Sequence, residues 1–317
     1  MTEGKEVNPH NAKDRRDAID AGFLYKKTCA AGSIPGACGQ AKGESVQYSL
    51  VGTRRSEAFP GGKGVCPFCK APTVAKCGPR VMHHWAHIGR KKCDPWWENE
   101  TEWHREWKSL FPENCREVIH IAPDGEIHRA DIKTSSGIVI EVQHSAMTDA
   151  ERTSREVFYK NLIWVLDGKP FAQNFDIYHP LPDPNSELAK DLIWHKSVRH
   201  FTGTTDGMFY RISENIEKHP SLSKNSRVTG LLLTHGIQKI IDDIAESYCG
   251  HHQYDWVRPR HTWLDAQCPV YIDFGHDFLA KLGTYDETNL ACIKYVSKNR
   301  FLNDVLSNKN VQDVANN

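Results

Sequence analysis

From residue 96 to residue 168 the apolar positions change period several times, and each change marks an element. "WWENETEWHREWKSLF" repeats at helical spacing, with Trp103, Trp107 and Leu110 on one stripe and Glu100, His104 and Lys108 on another. "CREVIHI" and "PDG" read as a strand and its turn. "HRADIKTSSGIVIEVQHS", residues 128 to 145, alternates with period two and reads as a hairpin. "TDAERTSREVFYKN" opens with Thr148 and Glu151 at capping-box spacing and predicts a second helix, followed by the apolar strand "LIWVLD". The predicted order is helix, three strands, helix, strand.

The hairpin carries an acid inside each apolar arm. On its second arm Ile138, Ile140 and Val142 share one face, while Val139, Glu141 and Gln143 share the other. On the first arm Asp131 lies with Arg129 and Lys133, opposite Ala130 and Ile132. A three-residue loop of Ser135, Ser136 and a left-handed Gly137 pairs Thr134 with Ile138 and sets Asp131 across from Glu141. Two carboxylates at that separation repel unless something positive lies between them. A divalent cation is one solution. A solvent-facing hairpin whose acids pair with Arg129 and Lys133 is the other.

Elsewhere the pattern is less informative. Residues 1–60 read as a weakly structured arm in which Cys29 and Cys38 are too far apart for a metal knuckle. Residues 61–95 form a Cys/His module, 96–168 the helix-and-strand core, and 169–317 an α+β region whose role is not written in its pattern. There "HGIQKIIDDIAESY" puts Ile237, Ile240, Ile241, Ile244 and Tyr248 on one core-facing stripe. "CPVYIDFG" reads as a strand ending in a glycine turn, with Asp273 as a turn or cap residue.

At 317 residues the chain has room for more than one domain, and 25% charged with 39% hydrophobic residues is the composition of a folded, soluble protein. No apolar run approaches the ~18 residues of a membrane span, and the first residues lack the apolar stretch of a secretory signal. A cytoplasmic, reducing location is therefore expected. Lys+Arg and Asp+Glu balance at 40 each, so a nucleic-acid partner needs a local basic patch. "DRRD", "YKKT", "GTRRSE" and "GRKKC" are the candidates, each more often plain solvated surface.

In the module, Cys66-x-x-Cys69 is followed after fourteen residues by His84-x-x-His87. Two thiolates and two imidazoles make a tetrahedral Zn²⁺ set with every position filled, which is a structural site. Cys77, His83 or Cys93 can each replace one of the four. A metal-free small fold packed by Phe68, Val81 and Trp85 is the alternative.

The run "HHWAH", "ENETEWHREWK", "RADIKT", "IVIEVQHS" and "WVLDG" resembles the competence protein CoiA-like family, over about residues 60 to 168. The resemblance implies an α/β fold with a restriction-endonuclease-like PD-(D/E)XK core, a mixed β-sheet flanked by helices, beside a small N-terminal Cys/His module. It implies a Mg²⁺- or Mn²⁺-dependent nuclease acting on nucleic acid, DNA more than RNA, in DNA processing or defence against foreign DNA. A non-cleaving nucleic-acid-binding module is the alternative. Asp131, Glu141 and the Val142 carbonyl would hold the ion, with Glu100 and His104 beside them. Gln143 stands where the superfamily usually has lysine, and its amide can orient a phosphate but cannot accept a proton as a base does. Lys108, Arg155, Tyr159 and Lys160, together with Arg90, Lys91 and Lys92, are the expected nucleic-acid contacts. The C-terminal region is left to a protein partner or a second copy of the chain.

Overall fold

A computed structural model describes residues 45–316 except 81, 90–92, 95, 97–99, 201, 202, 205, 227–230 and 308–310. Cys29, Cys38, "DRRD", "YKKT", Val81, Arg90, Lys91 and Lys92 lie outside the described residues. The fold is mixed α/β, with sheets of both strand orientations and several helices. The chain divides into two compact units. One holds the described residues up to Asp167 together with Asp265–Val270 and those from Asn299 onward; the other holds Gly168–Leu264 and Tyr271–Lys298. Two pieces of the C-terminal third thus belong with the preceding core.

The first unit opens with a six-stranded antiparallel sheet of β1 (Ser45–Val46), β2 (Tyr48–Val51), β3 (Arg54–Glu57), β4 (Lys63–Val65), β5 (Pro72–Lys76) and β6 (His84–His87), in the order β1-β6-β5-β4-β2-β3. Residues 45–57, read from the sequence as part of a loose arm, therefore supply three of its strands. Val46 and Tyr48 are buried at 2% exposure, Val46 paired with Trp85 at 0%, which explains why this stretch joins the sheet. Arg54 and Arg55 of "GTRRSE" lie on the edge strand β3, with the Arg55 guanidinium over the Tyr48 ring.

Helix α1 (Glu102–Ser109) follows, shorter than its sequence pattern. Thr101 caps it, so Glu100 precedes the helix, and the chain leaves helical geometry after Leu110. Trp103 and Trp107 are buried as expected, but Leu110 is exposed and Phe111 takes the core position beyond the helix end. Strands β7 (Arg116–Ile121), β8 (Ile127–Lys133) and β9 (Val139–Gln143) then run antiparallel. Helix α2 (Asp149–Tyr159) crosses over to β10 (Leu162–Asp167), which pairs parallel with β9. The spatial order is β10-β9-β8-β7. All five residues of β9 are buried because strands flank it on both sides.

The hairpin has the register its turn chemistry requires. Gly137 is left-handed at φ 85, the Thr134 N–H donates to the Ile138 carbonyl at 2.9 Å, and Ile132 pairs with Ile140. Asp131 consequently stands across from Glu141.

In the second unit, β11 (Phe175–Pro180), β17 (His251–Trp256), β20 (Ala291–Ser297), β19 (Phe278–Thr284) and, from Tyr271 onward, β18 (Val270–Asp273) form successive antiparallel neighbours. Short strands β12 (Leu192–Trp194), β15 (Met208–Arg211) and β16 (Thr234–Gly236) form a second sheet, and β13 (Arg199–His200) pairs with β14 (Gly203–Thr204). Ile237, Ile240 and Ile244 enter one core with Leu181, Leu192, Trp194 and Phe209, with Ile241 partly buried against it. Asp273 acts in a turn: its Oδ1 accepts from the Gly275 N–H at 2.8 Å and pairs with Lys298 at 2.9 Å. No helix among the described residues is long and apolar enough to cross a membrane.

Candidate functional site

A polar cleft in the first unit is lined by Asp94, Trp96, Glu100, His104, Lys108, Glu117, Arg129, Asp131, Glu141, Val142, Gln143 and Arg155. Five of the residues expected at a catalytic centre, Glu100, His104, Asp131, Glu141 and Gln143, are therefore brought together, with Val142 and Lys108. They come from α1 and the loop before it and from β8 and β9; β7 and α2 add Glu117 and Arg155.

The two hairpin acids hold each other's strands. Asp131 Oδ2 accepts from the Val142 N–H at 3.0 Å, and Glu141 Oε1 accepts from the Asp131 N–H at 3.3 Å. Side chains thus replace backbone pairing at the point where the ladder reaches the cleft. Among the described residues, Asp131 Oδ1 makes no hydrogen bond or ion pair. Burial, and next the Asp131 charge, push the Glu141 carboxyl up to about 8, although Arg155 opposes them.

The compensating cations are not the ones that the hairpin alone suggested. Arg155 donates to Glu141 Oε2 at 2.9 Å, to Glu151 at 2.6 Å and to the Trp96 carbonyl at 2.8 Å. Lys133 meets His120 instead, at 3.0 Å, and Arg129 lies 4.0 Å from Glu117. Arg155 and Lys108 are each 3% exposed and committed to acids, so neither is an open phosphate contact and either acts on a ligand in the cleft only through its charge. Tyr159, also 3% exposed, packs into the aromatic group of Trp96, His120 and Phe158. Its phenol is raised above its ordinary value, first by burial and then by Glu141. Lys160 is exposed at the end of α2, with a left-handed backbone at φ 59.

Lys108 is buried at 3% exposure with its ammonium between Glu100, an ion-pair partner, and Glu117 at 3.1 Å. Burial would lower it, but Glu117, Glu100 and Asp131 outweigh burial and hold it charged. Burial likewise opposes ionisation of Glu117, yet Lys108 and Arg129 hold its carboxyl down at about 2. Arg105 takes the other oxygen of Glu100 at 2.7 Å.

His104 is constrained by the helix cap. The Thr101 N–H donates to His104 Nδ1 at 3.2 Å, so the neutral ring carries its proton on Nε2. The Gln143 amide donates to the Ser145 carbonyl at 3.1 Å.

Three cleft residues have no place in the sequence expectations: Glu117, Asp94 and Trp96. Glu117 carries the same signal as Asp131, an acid inside the apolar run "CREVIHI". Asp94 accepts from His128 Nδ1 at 2.9 Å and from the Arg129 N–H at 2.8 Å, while the Trp96 ring stacks on His128. Neither has a local pattern that announces it.

The module brings together a different donor set from the one expected. Cys66, Cys69, His87 and Cys93 present ligand atoms within 4.8 Å of one another, a set that can hold a metal ion such as zinc. His84 is not in it, and Cys93 takes that place. The reason is β6: on a strand, residues three apart point to opposite faces, so His84 and His87 cannot converge. His84 Nδ1 instead meets the Met82 carbonyl at 2.8 Å. Cys77 and His83 also stand outside the cluster. The Cys93 thiol, 3.7 Å from Cys66, draws the Cys66 thiol down to about 3 against burial, with His87 and the Cys69 and Phe68 N–H groups assisting. The carboxylates of the cleft do not converge in this way: among the described residues, the Cys/His cluster is the one group of three or more ligands so close together.

Comparisons with protein-family models, curated proteins and solved structures returned no match.

Proposed function

We propose that this protein is a metal-dependent nuclease that hydrolyses phosphodiester bonds, of DNA more than RNA, in DNA processing or defence against foreign DNA. The observation that carries the reading is the pair of Asp131, half-buried, and Glu141, buried, opposed on adjacent strands at a polar cleft. Two opposed carboxyls that resist ionising together, one of them buried and pushed up to about 8, form a site that gains from a cation. All-oxygen donors suit a hard ion such as Mg²⁺ or Mn²⁺, and Asp131 Oδ1 is open to one. Asp131, Glu141 and the Val142 carbonyl would hold it. When bound, such an ion supplies positive charge to the phosphodiester and acidifies water beside it.

The element order, helix, three antiparallel strands, helix, parallel strand, supports a PD-(D/E)XK core of the CoiA-like kind. The chain's own residues have separate tasks in this reading. Gln143 orients a phosphate oxygen or water by hydrogen bonds, and His104 donates from Nε2. Zn²⁺ at Cys66, Cys69, His87 and Cys93 fixes the small lobe, and its loss unfolds that lobe.

The ion pairs of Lys108 and Arg155 favour a second reading, a non-cleaving nucleic-acid-binding module, because the acids already have cations. Incubation of plasmid, linear duplex, single-stranded DNA and RNA with the protein in Mg²⁺ or Mn²⁺ separates the two. Cleavage that disappears in Asp131→Asn and in Glu141→Gln establishes the nuclease. Binding without cleavage by a folded, zinc-loaded protein on every substrate selects the second reading.

A further inference from the structure

Glu117 stands apart in the cleft by its backbone. It lies within β7, yet its backbone is left-handed at φ 46, a conformation that costs a residue with a β-carbon about 1–3 kcal/mol and persists only where the surroundings enforce it. The ladder pairs Arg116 with Ile132 and Val118 with Ala130, so Glu117 on β7 stands across from Asp131 on β8. Glu117, Asp131 and Glu141 form a row of acids over three successive strands. Such a row is destabilising without interleaved positive charge, and the Lys108 ammonium supplies it from α1, held between Glu117 and Glu100.

We propose that Glu117 is a positioning residue that seats the Lys108 ammonium in the cleft, where it supplies the fixed positive charge toward the phosphodiester that Gln143 cannot. The inference rests on the nuclease reading for its consequence, but not for the seating itself. Glu100 alone cannot do the same, because it also pairs with Arg105 and precedes the helix cap, whereas Glu117 lies within β7, where the ladder to β8 holds its neighbours Arg116 and Val118. The charged groups that face Lys108 are Glu100, Glu117 and Asp131, with Arg105 and Arg129 behind the first two. Removing the Glu117 charge leaves burial to pull the ammonium toward its neutral form.

The test uses the full-length chain with Glu117→Gln and Glu117→Asp. The Lys108 side-chain ¹⁵N signal, assigned by its loss in Lys108→Arg, is titrated by NMR with no substrate present. Glu117→Gln is expected to lower that titration by at least one pH unit and Glu117→Asp to restore part of it. An unchanged titration overturns the seating, whether or not the protein cleaves anything. In single-turnover cleavage Glu117→Gln is expected to slow the reaction tenfold or more, with duplex affinity changed less than threefold and an alkaline loss of rate that the parent lacks. A shifted titration with an unaltered rate and pH profile overturns the catalytic consequence. If the parent cleaves no substrate, the nuclease reading fails and the NMR titration still decides the seating.

Discussion

Replacing Glu141 by Gln is expected to remove a pH dependence that the folded protein owes to this one group. Glu141 is wholly buried and titrates at about 8, against an ordinary value of 4.5. Between those two values the folded state keeps a proton that the unfolded chain has released. Its contribution is therefore fully present below about pH 4.5 and is lost as the pH rises through 8. At about 1.4 kcal/mol per pH unit of displacement, the loss reaches about 4 to 5 kcal/mol. Gln keeps the shape, and its one carbonyl oxygen can still accept from Arg155, whose other partners Glu151 and the Trp96 carbonyl remain, while its NH₂ replaces the oxygen that accepts the long 3.3 Å bond from the Asp131 N–H. Urea unfolding of parent and variant from pH 5 to 8.5 measures the difference. The variant should match the parent near pH 5 and exceed it by about 4 kcal/mol at pH 8.5. Comparing the two chains cancels histidines that titrate in the same range. Saturating Mg²⁺ should flatten the parent's slope and leave the variant unchanged. Equal slopes in parent and variant would refute the account of a carboxyl raised by burial and Asp131.

Metal content should separate the donor sets: Cys66→Ser, Cys69→Ser, His87→Ala or Cys93→Ser should each abolish stoichiometric zinc by elemental analysis, while His84→Ala and Cys77→Ser should retain it. His252, wholly buried between the Tyr178 carbonyl and the Tyr248 hydroxyl, is lowered by burial to about 4. Its contribution is present above about pH 6.5 and is lost as the pH falls toward 4, about 3 kcal/mol in all, so His252→Gln should flatten the acid limb of unfolding. Gly137→Ala should cost about 1 kcal/mol through backbone strain alone, since a β-carbon there meets nothing within 4 Å; an unaltered denaturation midpoint would contradict that.

What could be read in advance divides by mechanism. The hairpin register was legible because period-two alternation and the chemistry of one glycine are local, and both point to the same pairing of Asp131 with Glu141. The fourth ligand of the module was not, because His-x-x-His spacing has a meaning only once its element is known. On a strand it separates the two rings, and Cys93 comes from a segment with no regular spacing to the knuckle. Arg155 shows a different difficulty. Its place on the α2 surface pattern said nothing of Glu141, which the crossover to β10 brings beneath it. Glu117 was accessible in part: an acid in an apolar strand was the signal that singled out Asp131, but the left-handed backbone that turns it inward has no sequence signature.

The position of β9 has a bearing on how this site fails. Glu141 lies mid-strand between β8 and β10, and the amides of such a strand exchange with solvent only when neighbours on both sides let go. Fraying of a terminus or a loop cannot dismantle the acid pair while leaving the rest standing. The cleft should therefore disappear in one cooperative event, at the full free energy of opening that sheet, and a weakened variant should lose its fraction of working molecules rather than the quality of each one.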